Sequence, residues 1–66
     1  MAQPGQQFRE GDRVRLIRRF AGVPIGTYGT ILTKFTLQPL YDVRFDGHKA
    51  PHIIEASYLE LAPPET

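Results

Sequence analysis

The chain has no cysteine and no tryptophan, and within its 66 residues no uninterrupted apolar stretch exceeds two or three positions. Without thiols there is no disulfide framework of the kind that staples small secreted domains, so a reducing, cytoplasmic setting is expected. Without an apolar run of about 20 residues no membrane-spanning helix is expected. The opening MAQPGQQ also lacks the basic and apolar segments of an export signal. Net charge is scarce too: the formal total of +1 is too small by itself to argue for a polyanionic partner. Length sets the last limit. A chain of this size has room for one core, and marginal stability or help from self-association is expected.

The charge that is present is unevenly placed. Arg9, Arg13, Arg15, Arg18 and Arg19 against Glu10 and Asp12 leave the first nineteen residues at +3, while the remainder sums to −2. The termini carry little that can pack. Residues 1–7 combine Pro4, Gly5 and three glutamines, and residues 62–66 carry tandem prolines that cannot donate to a β-ladder. Both are expected to be flexible tails around a folded unit spanning 8–61.

Inside that unit the apolar period is close to two, broken by turn residues, which is the signature of short strands. "DRVRLIR" follows a Gly11-Asp12 corner and puts Val14 and Leu16 on one face, with Arg13, Arg15 and Ile17 on the other. Phe8, just before the corner, is expected to fold back over the core. "RFAGVPIGTYG" holds three glycines and a proline, too irregular for a helix, and reads as a long excursion. "TYGTILTKF" is a second strand with a bend at Gly29, and a bulge there, if present, would leave the inward parity open. "YDVRFDG" alternates Tyr41, Val43 and Phe45 against Asp42, Arg44 and Asp46, then turns at Asp46-Gly47. "HIIEA" is a fourth strand, "ASY" a single helical turn and "LEL" a closing strand. Phe35 is expected in the core beside Phe8 and Phe45.

The expectation is an all-β, five-stranded barrel with a long first loop and one short helical turn before the last strand. "GDRVRLI", "GTYGTIL", "YDVRFDG" and "YLELA" resemble the framework of many small bacterial SH3-like barrels. The same framework is similar to that of a small photosystem I subunit family, KOW-type modules, Tudor-like domains and type II dihydrofolate reductases. The resemblance implies a scaffold, which unrelated functions share. It also implies where a peptide would lie: in a groove beside the first long loop, for which Phe20, Tyr28, Tyr41 and Tyr58 are candidate linings.

Few residues suit catalysis. The reductases build their pore from a V-Q-I-Y tetrad in a late strand, and here the comparable stretch is Pro51-His52-Ile53-Ile54-Glu55, without the glutamine and tyrosine. No enzymatic activity is therefore expected, with a pore reductase as a distant third reading. His48 and His52 are of a metal-ligating type, but a zinc site needs three or four protein ligands, and they read as two exposed loop histidines. Ser57, His52 and Asp46 name the residue types of a nucleophilic triad without an elbow to present the serine. No cofactor is expected.

Arginines are the stronger candidates. Arg13, Arg15, Arg18, Arg19 and Arg44, with Phe20 and Tyr28 as stacking surfaces, form the candidate binding set. Against this, Glu10, Asp12, Asp42 and Asp46 lie near enough in sequence to pair with the same guanidinium groups. The preferred expectation is a protein partner docked through the long loop and adjacent face, or assembly as an accessory subunit. The alternative is nucleic acid bound through the arginine-rich face.

Overall fold

The alternation of "RVRL" becomes an interior strand of a rolled sheet. In a computed structural model that describes residues 8–62, β1 (Arg13–Leu16) pairs antiparallel with β2 (Tyr28–Lys34) on one side and β5 (Leu59–Leu61) on the other. β3 (Leu40–Phe45) adds to β2, β4 (His52–Glu55) adds to β3, and a 3₁₀ turn (Ala56–Tyr58) leads from β4 into β5. The order β4-β3-β2-β1-β5, with every pairing antiparallel, is that of a five-stranded SH3-like barrel. No helix among the described residues is long and apolar enough to cross a membrane.

Every strand sends at least one side chain into a shared dry interior. Val14 and Leu16 of β1, Ile31 of β2, Tyr41, Val43 and Phe45 of β3, Ile54 of β4 and Leu59 of β5 form a single buried cluster. Each such side chain contributes about 1.5–3 kcal/mol on burial, which is why the period-two pattern dominates so short a chain. Phe8 is fully buried against this cluster, as expected. Its backbone N–H donates to the Tyr41 hydroxyl at 3.1 Å, and the two rings meet edge to face at 5.3 Å. That contact turns a phenol in the core into a satisfied one. Gly11 makes the preceding corner at φ +92°, a conformation that favours glycine.

Several expectations are corrected. The bulge is not at Gly29, which sits in regular register between Val14 and Phe45; the register shifts between Ile31 and Thr33, so Leu32 is the extra residue. Gly29 instead permits a close approach, because a Cβ there would meet Val43 and Phe45 at about van der Waals overlap. Phe35 lies beyond the bulge and is only half-buried, whereas Val23, which no sequence pattern singles out, is buried in the core. Tyr41 is core and lines no groove.

Just beyond β5, the Ala62 N–H donates to the Arg13 carbonyl at 3.0 Å. Of the tails expected over 1–7 and 62–66, residues 1–7 and 63–66 lie outside the described residues.

The long loop between β1 and β2 is tied at its base and its tip. The Leu16 and Gly26 N–H groups donate to Thr27 and Leu16 carbonyls at 2.9 and 2.8 Å, and an isolated bridge joins Phe20 to Val23. Ala21, between them, adopts φ +50°. At the start of the loop the Ile17 N–H donates to the Tyr58 carbonyl at 2.8 Å. The loop is thereby pinned to the 3₁₀ turn.

Candidate functional site: an aromatic face beside the long loop

The pinning has a direct consequence for the aromatic residues. Phe20 from the loop, His52 from β4 and Tyr58 from the 3₁₀ turn converge, with the Phe20 ring edge-on to His52 at 5.7 Å and to Tyr58 at 5.8 Å. All three are half-buried. Beneath them His52 leans on Phe45 of the core at 6.1 Å, and beside them His48 meets His52 at 6.4 Å. The Arg18 guanidinium lies 5.7 Å from the Tyr58 ring centroid, within the range of a cation–π contact. Arg19 is exposed on the same loop, beside a shallow cavity that Gly22, Pro24 and Ile25 help to line.

The expected reading of His48 and His52 as exposed loop residues is corrected. Both are half-buried, and His52 belongs to β4, where its inward parity with Ile54 turns it toward Phe45. Its Nδ1 is buried without a hydrogen-bond partner. No group of three or more His, Asp or Glu side chains that could hold a metal ion gathers among the described residues. Ser57 donates to Glu55 Oε1 at 3.3 Å, and Asp46 is engaged by Arg13, so the triad residues have other partners.

The remaining candidates occupy other surfaces. Arg13, Arg15 and Tyr28 share the outer wall of β1 and β2, in a row of charges that largely cancels itself. Arg13 makes a two-pronged contact to Asp46 at 3.0 and 2.8 Å, donates to Thr30 Oγ1 at 3.0 Å, and lies 5.7 Å from the Tyr28 ring centroid. Arg15 pairs with Glu60 across the β1–β5 ladder, its Nε donating at 2.7 Å and its second nitrogen bonding the same oxygen. These contacts appear in the acid–base chemistry. The hydrogen bond from Arg13 holds the Asp46 carboxyl below its usual range. The bond to Glu60 raises the Arg15 guanidinium above its ordinary value, with a smaller contribution from Tyr28.

Of the acids expected as partners, Asp46 does pair with a candidate arginine, whereas Asp12 accepts instead from the Arg9 backbone N–H at 2.9 Å. Glu60 is a partner that sequence reasoning missed, because it stands 45 residues from Arg15 and meets it only through the β1–β5 register. Arg44 is exposed on the outer face of β3 opposite Thr30, and lines a shallow cavity with Asp46 and Lys49.

A five-stranded antiparallel barrel, a long loop pinned over its 3₁₀ turn and an aromatic face between them define a protein of the SH3-like class. Among models of known families, the Xrn1 SH3-like domain matches residues 6–50, well over half of the chain, and the protein belongs to that family. No curated protein and no solved structure gives a match.

Proposed function

We propose that the protein is a non-enzymatic docking module that binds a protein partner, or assembles as an accessory subunit, through the face formed by Phe20, His52 and Tyr58 with Arg18 at its edge. The observation that carries this reading is the convergence of three half-buried rings from three separate elements. Aromatic and arginine side chains dominate the energetics of protein contacts, because they offer large area at low entropic cost and are already partly desolvated. SH3-like domains in general serve as protein-interaction modules, and peptides in such folds lie beside the first long loop. Phe20 stands in that loop.

The alternative, nucleic acid on the arginine face, is less favoured. Arg13 and Arg15 are each held by a carboxylate of the same chain. A phosphate would have to compete with Asp46 and Glu60 before any counterion was released. A reductase is less favoured still, since Pro51 to Glu55 lacks the glutamine and tyrosine of that resemblance. Kinship with the small bacterial SH3-like barrels, and a cytoplasmic setting for a chain without cysteine, belong to the same proposal.

The test is a quantitative pull-down from the source cell with wild type, Tyr58→Ser plus Arg18→Glu, and Arg44→Ser as a control on a different face. A partner retained by wild type and Arg44→Ser, and lost by the double variant with its circular dichroism unchanged, supports the reading. Equal recovery by all three proteins removes the aromatic face from consideration. A parallel titration of single-stranded oligonucleotide at low salt that gives salt-sensitive binding, abolished by Arg15→Glu plus Arg18→Glu, would favour the alternative.

A further inference from the structure

The two outer walls of the barrel differ in how their charges are satisfied. On the wall of β5, β1 and β2, Arg13 and Arg15 each meet a carboxylate. On the wall of β2, β3 and β4, Asp42 and Arg44 stand two residues apart on the outward side of β3, about 7 Å along the strand. Among the described residues neither of these two side chains makes a hydrogen bond or ion pair. Asp42 lies opposite Ile53 of β4 and Thr33 of β2, and Arg44 lies opposite Thr30. Leu32, the extra residue of the bulge, is 41% exposed and Ile53 is 56% exposed. Asp42 is thus flanked by uncovered apolar groups, while Arg44 stands beside Thr30 and shares a shallow cavity with Asp46 and Lys49, and Glu55 is exposed further along β4.

We propose that this wall docks a second copy of the chain, with β3 laid antiparallel over β3 so that Arg44 of each copy meets Asp42 of the other. The charge pattern selects this occupant. A two-fold contact requires a patch complementary to itself. Asp42 and Arg44, the two outward charges within β3, meet that condition when the axis crosses the strand at Val43, midway between them; the next acid along, Asp46, is already held by Arg13. The parallel arrangement would set Arg44 on Arg44 and Asp42 on Asp42, and like charges oppose it. In the antiparallel arrangement Leu32 and Ile53, on the strands either side, lose solvent as the sheets close to about 10 Å.

The size of the wall sets the strength. Three neighbouring strands of this length span about 14 by 20 Å. The contact falls below the roughly 800 Å² per partner of a standard interface, itself about one sixth of the 4796 Å² surface. A weak, concentration-dependent dimer follows, on a wall that leaves Phe20, His52 and Tyr58 out of the contact.

Sedimentation equilibrium at about 10 to 500 µM and low salt measures it. Wild type is expected to pass from monomer to dimer over this range, and to dissociate as salt rises. Asp42→Arg, Arg44→Asp and the milder Arg44→Ser each weaken the dimer at least tenfold. The decisive arm mixes the two charge-reversal variants in equal amounts. One carries two cations and the other two acids, so the mixture regains a dimer that neither forms alone. A wild-type monomer throughout, a dimer indifferent to Arg44→Ser, or a mixture that stays monomeric overturns the proposal. None of these outcomes depends on whether the aromatic face binds a partner.

Discussion

Gly29 is the point at which the barrel's close packing can be tested with one methyl group. A Cβ at this position would lie 2.9 Å from Val43 Cγ1, 3.0 Å from the Arg44 carbonyl oxygen and 3.0 Å from Phe45 Cδ1. Val43 and Phe45 are both fully buried, so neither can swing aside without disturbing the core. The Arg44 carbonyl belongs to the backbone of β3, directly across from β2. Overpacking of this kind costs about 1–3 kcal/mol. Replacing glycine also restricts the unfolded chain, which offsets about 0.4–1 kcal/mol. The net expectation for Gly29→Ala is a loss of about 1–2 kcal/mol, or roughly 4 to 16 °C in Tm for a domain of this size.

Thermal and urea unfolding followed by circular dichroism read it directly. Gly22→Ala is the internal control, because nothing lies within 4 Å of a Cβ there and its φ is not in the left-handed region. It is expected to be neutral or slightly stabilising. Equal stabilities for the two variants, within about 0.3 kcal/mol, would refute the register in which β2 lies against β3 at Gly29.

Asp46→Asn removes the carboxylate that Arg13 holds, and for a pair this exposed the expected loss at neutral pH is about 0.2–1 kcal/mol. Because the folded-state pKa of Asp46 is lowered, its contribution is complete above the ordinary carboxylate pKa and disappears as pH falls through the lowered one; urea midpoints of wild type and variant should therefore converge in acid. A gap that persists unchanged at low pH would contradict the ion pair. Ala21 holds φ +50°, a left-handed conformation that costs a non-glycine residue about 1–2 kcal/mol. Ala21→Gly is expected to stabilise the protein by about 0.5 kcal/mol after the entropy of the unfolded glycine is counted, and a destabilised variant would show that the loop tip adopts another conformation.

The strands are legible in the sequence because inward and outward residues alternate without ambiguity where the chain is regular. Val14 and Leu16 against Arg13 and Arg15, and Val43 and Phe45 against Asp42 and Arg44, announce both the strand and its buried side. Turn chemistry is equally readable: Gly11 and Gly47 both take the positive φ that their corners demand. The bulge is not readable, since Leu32 is an ordinary strand residue and the slip arises from how β2 must coil against β3. Val23 escapes notice because one apolar residue between Gly22 and Pro24 has no period to belong to.

For the site, Phe20 and Arg18 stand out as candidates in the sequence, while His52 is misread when judged by the loop residues beside it. Its parity with Ile54 is a usable signal that it turns inward. Tyr41 as a groove lining runs against its own alternation, which places it with Val43. Glu60 carries no such signal, because ion pairs across a ladder are visible only once the strand order is known.

The central claim is that the aromatic face is the contact surface and the outer arginine row is not. Amide chemical shifts of labelled protein, followed while a segment of the captured partner is titrated in, test this most directly. The largest changes are expected at Arg18, Phe20, His52 and Tyr58, with Arg13, Arg15 and Thr30 nearly still. Shifts concentrated on Arg13, Arg15 and Thr30 instead, or saturating binding that leaves Phe20 and Tyr58 unmoved, would contradict it.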